Sequence, residues 1–262
     1  MNLSLLTEKV IPIAIEAGKK IMEIYNTKDF QVEYKEDDSP LTIADKASND
    51  ILNAQLSILT PHIPIISEEN DAISYEDRKD FSYCWVLDPL DGTKEFVARN
   101  GDFAVNIALI HFGKPILGII CVPVLDIIYW AVKDGGSYKI ENGVQEKIMC
   151  NTFNINDLGL RVPVSRSSLN EATKQYISRY NEPVLLPRGS ALKFMNIAEG
   201  SADIYPRIGT TMEWDTAAPQ IIIEEAGGKL LDMITKLPFV YNRPSHKNPD
   251  FLAMGICEGE FS

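Results

Sequence analysis

Trp85-Val86-Leu87-Asp88-Pro89-Leu90-Asp91-Gly92-Thr93-Lys94-Glu95-Phe96 runs an apolar stretch straight into two carboxylates. Residues 81–87 have the β-branched and aromatic content of a buried strand, and Asp88 falls where that strand leaves its sheet, a common place for ligands to bind. Pro89 fixes its own φ and has no N–H, so the chain turns and brings Asp88 and Asp91 toward one point, with the Leu90 carbonyl. Two carboxylates and a carbonyl are the oxygen ligands of a hard cation such as Mg2+. Gly92 lets the backbone approach a ligand, and residues 93–98 read as a short helix whose N-terminal N–H groups face an anion. The plain alternative is an Asp-Pro-x-Asp-Gly turn between strand and helix.

The other acids extend the pattern. Residues 63–67 form a second apolar strand that ends in Glu68 and Glu69, so two strands deliver carboxylates at their C-terminal ends and share one metal cluster if they lie side by side. Residues 71–80 between them are charged and read as a loop or mobile flap. Thr42-Ile43-Ala44-Asp45 matches a capping box for a helix over residues 42–59, which gives Asp45 a structural explanation. Asp215 precedes an apolar helix ended by Gly227-Gly228 and reads either as its N-cap or as a ligand of a second cation with Trp214 packed behind it.

The rest of the chain is legible by period. A 3.6-residue apolar repeat marks a helix over roughly residues 1–25, kinked at Pro12. Residues 31–35 read as a short strand and 35–40 as a polar connection. Residues 103–148 alternate strands with turn signals, an antiparallel meander. Strands at 160–164, 184–186 and 202–205 then alternate with helices at 170–180 and 190–198. A division near residue 150 separates a first lobe (1–150) with most of the acids from a mixed second lobe (151–262), together one compact unit.

With 262 residues, 45% of them hydrophobic, the chain can bury a large core without staples. Its four cysteines form no CxxC pair and its three histidines have no ligand spacing, which suggests reduced thiols, a cytoplasmic protein and no zinc site. No run is long enough to span a membrane and no signal peptide is evident. A net charge of −12 argues against a nucleic-acid polymer as partner, yet local cations and metals can still hold an anionic small molecule. No EF-hand loop is present.

Taken together, Glu68-Glu69, Asp88-Pro89-Leu90-Asp91-Gly92-Thr93 and Trp214-Asp215 before Gly227-Gly228 resemble the magnesium-dependent, lithium-sensitive phosphatases of the inositol monophosphatase superfamily, over nearly the whole chain. Lys94-Glu95-Phe96, Val164-Ser165-Arg166-Ser167, Gly189-Ser190-Ala191-Leu192-Lys193-Phe194, Tyr205-Pro206-Arg207 and Tyr241-Asn242-Arg243-Pro244 resemble its 3′(2′),5′-bisphosphate nucleotidases of the CysQ type. The resemblance implies an α+β fold, a layered αβαβα sandwich like that of fructose-1,6-bisphosphatase. It also implies sulfur metabolism as the setting, with 3′-phosphoadenosine 5′-phosphate hydrolysed to AMP and phosphate.

By position, the resemblance gives Glu68, Asp88 and the Leu90 carbonyl to one Mg2+, and Asp88, Asp91 and Asp215 to a second, with room for a third, looser ion near Glu68. Asp45, through the Thr93 hydroxyl, takes the proton of the attacking water, and Glu69 supports the ligands from behind. Gly92 and Thr93 hold the transferring phosphate, Ser190 joins the substrate contacts, and Lys193 with Arg207 selects a second phosphate. An inositol or sugar phosphatase stays open as an alternative, as does a silent metal-binding regulator. Oligomeric state and peripheral association with the inner face of the membrane are left open too.

Overall fold

The Asn2 side chain accepts the Leu5 N–H and starts helix α1 (Leu3–Tyr25), which buries Val10, Ile13, Ala14, Ala17 and Ile21 along one face. Pro12 lies within α1 without ending it. The structure, a computed structural model, describes residues 1–27, 32–34 and 40–259. The expected strand at 31–35 is β1 (Val32–Tyr34), paired antiparallel with β2 (Pro40–Thr42). Both ends of that expected strand, and all of the polar connection at 35–40 except Pro40, which begins β2, lie outside the described residues. Next come α2 (Ile43–Leu59), β3 (Ile65–Ser67), α3 (Tyr75–Arg78), β4 (Tyr83–Asp91) and α4 (Thr93–Val97).

The predicted meander is β5 (Ala104–His111), β6 (Lys114–Val122), β7 (Ile127–Val132), β8 (Gly136–Glu141) and β9 (Val144–Ile148). With β3 and β4 it makes a seven-stranded sheet in sequence order, antiparallel except for the parallel β3–β4 pair. The second half contains β10 (Thr152–Asn154), β11 (Arg161–Ser165), α5 (Glu171–Ile177), β12 (Val184–Arg188), α6 (Leu192–Ala198), β13 (Ile204–Arg207) and α7 (Glu213–Glu225). It ends in β14 (Lys229–Asp232), β15 (Phe251–Met254) and β16 (Ile256–Glu258), with β13, β15 and β14 forming a smaller antiparallel sheet in that order.

Alternation within β4 shows how the layers arise. Trp85 and Leu87 pack with α1 and α2 in one core, while Cys84 and Val86 pack with α6 and α7 in another. Tyr205, Phe251 and Ala253 of the small sheet close the second core, and Ile204, Leu252 and Met254 on its far side join Ile177 of α5 in a third. The layers are therefore helix, sheet, helix, sheet, helix, the αβαβα sandwich that the resemblance implied.

Three local expectations are corrected. Strand β4 does not stop at Leu87: it continues to Asp91 through an irregularity between Asp88 and Asp91, so Pro89 sits in a bulge and not in a free turn. Residues 71–80 are not a free flap. They include α3, and Arg78 is buried, donating to Asn242 Oδ1 (2.7 Å) and the Pro244 carbonyl (3.3 Å). The helix after residue 212 begins earlier than expected, so Met212 is the N-cap of α7 and Asp215 lies in its first turn.

Gly118 is where α7 meets the large sheet, because a Cβ there would lie 2.7 Å from the Ala218 carbonyl oxygen and 2.5 Å from Ile221 Cγ2. Gly118→Ala must push the helix away, and overpacking of this kind costs about 1–3 kcal/mol. Urea unfolding should show that loss as a lower midpoint with an unchanged slope. An unchanged midpoint would mean that α7 does not press on β6.

Candidate active site

The bulge in β4 is what aims its carboxylates. Asp88 is buried, and its Oδ1 accepts the Leu90 N–H (3.1 Å), while Asp91 Oδ2 accepts Ser190 Oγ (2.7 Å) and Asn106 Nδ2 (3.2 Å). Asp215 arrives from the start of α7, its Oδ2 holding the Met212 N–H at 2.7 Å in the reciprocal bond of a helix start. One oxygen from each of Asp88, Asp91 and Asp215 lies within 4.8 Å of the others. Glu68, at the end of β3, lines the same cavity with Leu90, Gly92 and Thr93. Glu69 is not among the residues lining it.

Helix α2 braces this group from one side. Asp45 does form the capping box with Thr42, whose N–H and Oγ1 donate to Asp45 Oδ2 at 2.7 and 2.6 Å. Its other oxygen accepts Thr93 Oγ1 at 3.1 Å, so the same carboxylate caps the helix and touches a residue that lines the cavity. One turn on, Ser48 Oγ donates to the Pro89 carbonyl (2.7 Å), and Asn49 Oδ1 accepts Ser67 Oγ (2.7 Å) just before Glu68. Neither contact was foreseen, though Asp45, Ser48, Asn49 and Asn53 make a polar stripe at helical spacing on a helix that otherwise buries leucine.

Unbalanced charge is the main electrostatic fact. Burial pushes the Asp88 carboxyl well above its usual range, and Glu68, Asp91, Asp215 and Asp45 push it further. Burial, then Asp91 and Glu68, raises Asp215 to about 8, against the Met212 N–H and Arg207. Burial likewise raises Asp45, against its bonds to Thr42 and Thr93. Acids placed so that each hinders the ionisation of the next fit a bound cation, and an all-oxygen donor set fits a hard one.

Cations stand beside the acids in the same cleft. A neighbouring cavity shares Asp91, Gly92, Lys94, Glu95 and Asp215 with the first and adds Ser167, Ser190, Lys193 and Arg207. Lys193, the second residue of α6, is only 8% exposed, donates to the Ser190 carbonyl (2.7 Å) and lies over the Tyr205 ring. Burial lowers its ammonium from the usual value while Asp91 opposes the shift. Arg207 reaches the Thr210 carbonyl only weakly, at 3.4 Å, and its Nε is buried with no acceptor among the described residues. Ser190 itself does not begin α6: it sits before the helix at φ 51°.

One organising residue escaped the sequence reading. Glu213 is fully buried beside the cluster and accepts the Asn242 and Arg243 N–H groups, Arg243 Nε and His246 Nδ1 at 2.8–3.1 Å. A local signal did exist in Tyr241-Asn242-Arg243-Pro244, but nothing in the sequence pairs it with Glu213.

Residues 2–254 match the inositol monophosphatase family. A 3′(2′),5′-bisphosphate nucleotidase CysQ of Salmonella typhimurium is 41% identical over 245 residues, 93% of this chain and 97% of that protein. The corresponding protein of Buchnera aphidicola is 43% identical over 227 residues, 85% of this chain and 83% of its own. The crystal structure of CysQ from Bacteroides thetaiotaomicron, a bacterial member of the family, superposes with a TM-score of 0.85 at 35% identity, covering 98% of this chain and 99% of that one.

The raised carboxyls have a consequence for stability without metal. Asp215 ionises near 3.8 in the unfolded chain and near 8 in the folded one, so its contribution is fully present below pH 3.8 and is lost as pH rises to about 8. Asp88 and Asp45 act in the same direction. In excess chelator the melting temperature should fall from about pH 5 to about pH 8, and fall less in Asp215→Asn. A divalent cation should restore more at the higher pH. A profile in chelator that is flat or rises across that window would contradict the assignment.

Proposed function

The chain belongs to the inositol monophosphatase family, and we propose that its cleft acts as a 3′(2′),5′-bisphosphate nucleotidase, a metal-dependent phosphatase that converts 3′-phosphoadenosine 5′-phosphate to AMP and phosphate. The supporting observation is one cleft in which the carboxylates of Asp88, Asp91 and Asp215 converge and Arg207 keeps a buried donor without an acceptor among the described residues. A phosphosulfate in place of the 5′-phosphate would meet the same Arg207.

The donor set fits magnesium. Glu68, Asp88 and the Leu90 carbonyl would hold one ion and Asp88, Asp91 and Asp215 a second, with Glu68 bordering a third. When bound, such ions lower the pKa of water and neutralise charge on phosphate oxygens. The Thr93 hydroxyl, 3.1 Å from Asp45, is a path for the water's proton, and Asp45 is the group that takes it. Its burial-raised carboxyl suits a base that must keep a proton through one turnover. The first N–H groups at Gly92 and Thr93, where Gly92 has φ 93°, hold the phosphate being transferred. Ser190 fixes Asp91, and Glu69 supports Glu68 from outside the cavity.

Phosphate release should be measured on the bisphosphate nucleotide and on inositol 1-phosphate, with Mg2+ and with chelator. The nucleotide should be preferred in kcat/KM by more than about tenfold, the scale of one charge-assisted contact, and turnover should fall to background in chelator. Preference for inositol 1-phosphate would make this a sugar phosphatase.

Arg207 provides the sharper test. A charge-assisted bond to phosphate contributes about 1.5–3 kcal/mol, so Arg207→Glu should lower kcat/KM on the bisphosphate by about ten- to hundredfold or more. Hydrolysis of 3′-AMP, which has no second phosphate, should change much less. Equal losses on both would remove Arg207 as the reader of the second phosphate.

A further inference from the structure

Glu95 is a carboxylate in the wall of a cleft proposed to bind a polyanion. It lies two residues beyond Thr93, is 6% exposed, and lines both the cavity of the converging acids and the neighbouring cavity of Lys193 and Arg207. Among the described residues its carboxylate accepts one hydrogen bond, from Ser167 Oγ to Oε1 at 2.6 Å. The surroundings are shaped to admit it. Gly189 has no Cβ where one would collide with Glu95 Cγ and lie 2.8 Å from Asp102 Cβ. Lys193 lies near enough for its charge to feel Glu95.

A buried carboxylate has several acceptor sites and is costly to leave with a single neutral donor. Beside phosphate it would also repel the ligand, unless it receives a hydrogen from it. What spans the acids and Arg207 in a bound bisphosphate nucleotide is the ribose that bears both esters. That ribose has one free hydroxyl. It is the 2′-hydroxyl when the scissile phosphate is on the 3′ oxygen, and the 3′-hydroxyl when the phosphate is on the 2′ oxygen.

Resting on the bisphosphate nucleotidase reading, we propose that Glu95 is a specificity-determining residue, its carboxylate accepting a hydrogen bond from the ribose hydroxyl adjacent to the scissile phosphate. Ser167 holds one oxygen and so orients the other. This accounts for a carboxylate between two anion-binding ends: it selects a sugar that carries a hydroxyl beside the ester. Lys193 and Lys94 line the same cleft, and the charge of Lys193 offsets that of Glu95.

The test is an enzyme-by-substrate comparison of kcat/KM, with 3′-phosphoadenosine 5′-phosphate and its 2′-deoxy analogue as the two substrates. A site built to hydrogen-bond a hydroxyl rejects the analogue that lacks it, so wild type should favour the ribo substrate by about tenfold or more. Glu95→Leu should bring that ratio close to one, chiefly by losing rate on the ribo substrate. Glu95→Gln, which keeps an acceptor oxygen without the charge, should fall between. Ser167→Ala should keep most of the preference. Equal rates of wild type on both substrates would overturn the proposal. So would equal losses on both substrates in Glu95→Leu and Ser167→Ala, which would reduce Glu95 to a brace for residues 165–168. If Glu95→Leu melts far below wild type, the ratio in Glu95→Gln decides. Failure of wild type to hydrolyse either nucleotide, with turnover of inositol 1-phosphate, would overturn the nucleotidase reading and this proposal with it.

Discussion

Three carboxylates brought within 4.8 Å of one another set the terms for the rest of the fold. A pair of like unit charges about 4 Å apart repels by about 4 kcal/mol at an effective dielectric of 20, so nothing local would keep Asp88, Asp91 and Asp215 together. Each is therefore tied from behind. Among the described residues, every hydrogen bond that these side chains accept falls on a single oxygen of each: Asp88 Oδ1, Asp91 Oδ2 and Asp215 Oδ2. The ties come from the bulge, the neighbouring strand, the Ser190 turn and the start of α7, four separate pieces of the chain.

Those pieces must in turn be rigid, and the burden at α7 falls on Glu213. Burial alone would raise its carboxyl, but bonds from His246 and Arg243 outweigh burial and hold it below the usual range. An ion pair this enclosed contributes little net stability, while removing one partner leaves a buried charge uncompensated. Its use here is geometric. Glu213 binds residues 242–246 to the first turn of α7, Asn248 Nδ2 reaches the Met212 carbonyl, and Asn242 passes the link to Arg78 in the segment between β3 and β4. Strands that deliver Glu68 and Asp88 are thereby connected to the helix that delivers Asp215.

Sequence reading recovered what depends on local pattern. The meander, α1 and the Thr42–Asp45 capping box all follow from periodicity or from residues a few positions apart. It misjudged the start of α7, because Met212 is a poor N-cap by type, and only the reciprocal bond between its N–H and Asp215 defines the boundary. It read residues 71–80 as a loop or mobile flap because they are charged, whereas Arg78 is held by residues more than 160 positions away. The burial of Lys193 was illegible because the Tyr205 ring that it lies over belongs to a separate element, β13. Arg78 depends on partners far away in sequence, about which a local pattern contains no information, whereas the start of α7 turns on a bond three residues long that the residue type of Met212 conceals.

The overall charge of −12 looks ill suited to a phosphorylated substrate, and the resolution lies in range. At physiological ionic strength exposed charges are screened beyond about 8 Å, so the acidic surface weakens approach more than it weakens binding. Inside the cleft the proposed ligand contacts are few: Lys193 beneath the Ser190 turn, Arg207 with its buried Nε, and the acids with any cation they would hold. These interact at short range in a medium that screens poorly. The acidic exterior also has a favourable side, since a field that repels a free polyanion attracts a free divalent cation. Filling the carboxylate cluster first and admitting the phosphate second is the order in which each step lowers the electrostatic cost of the next.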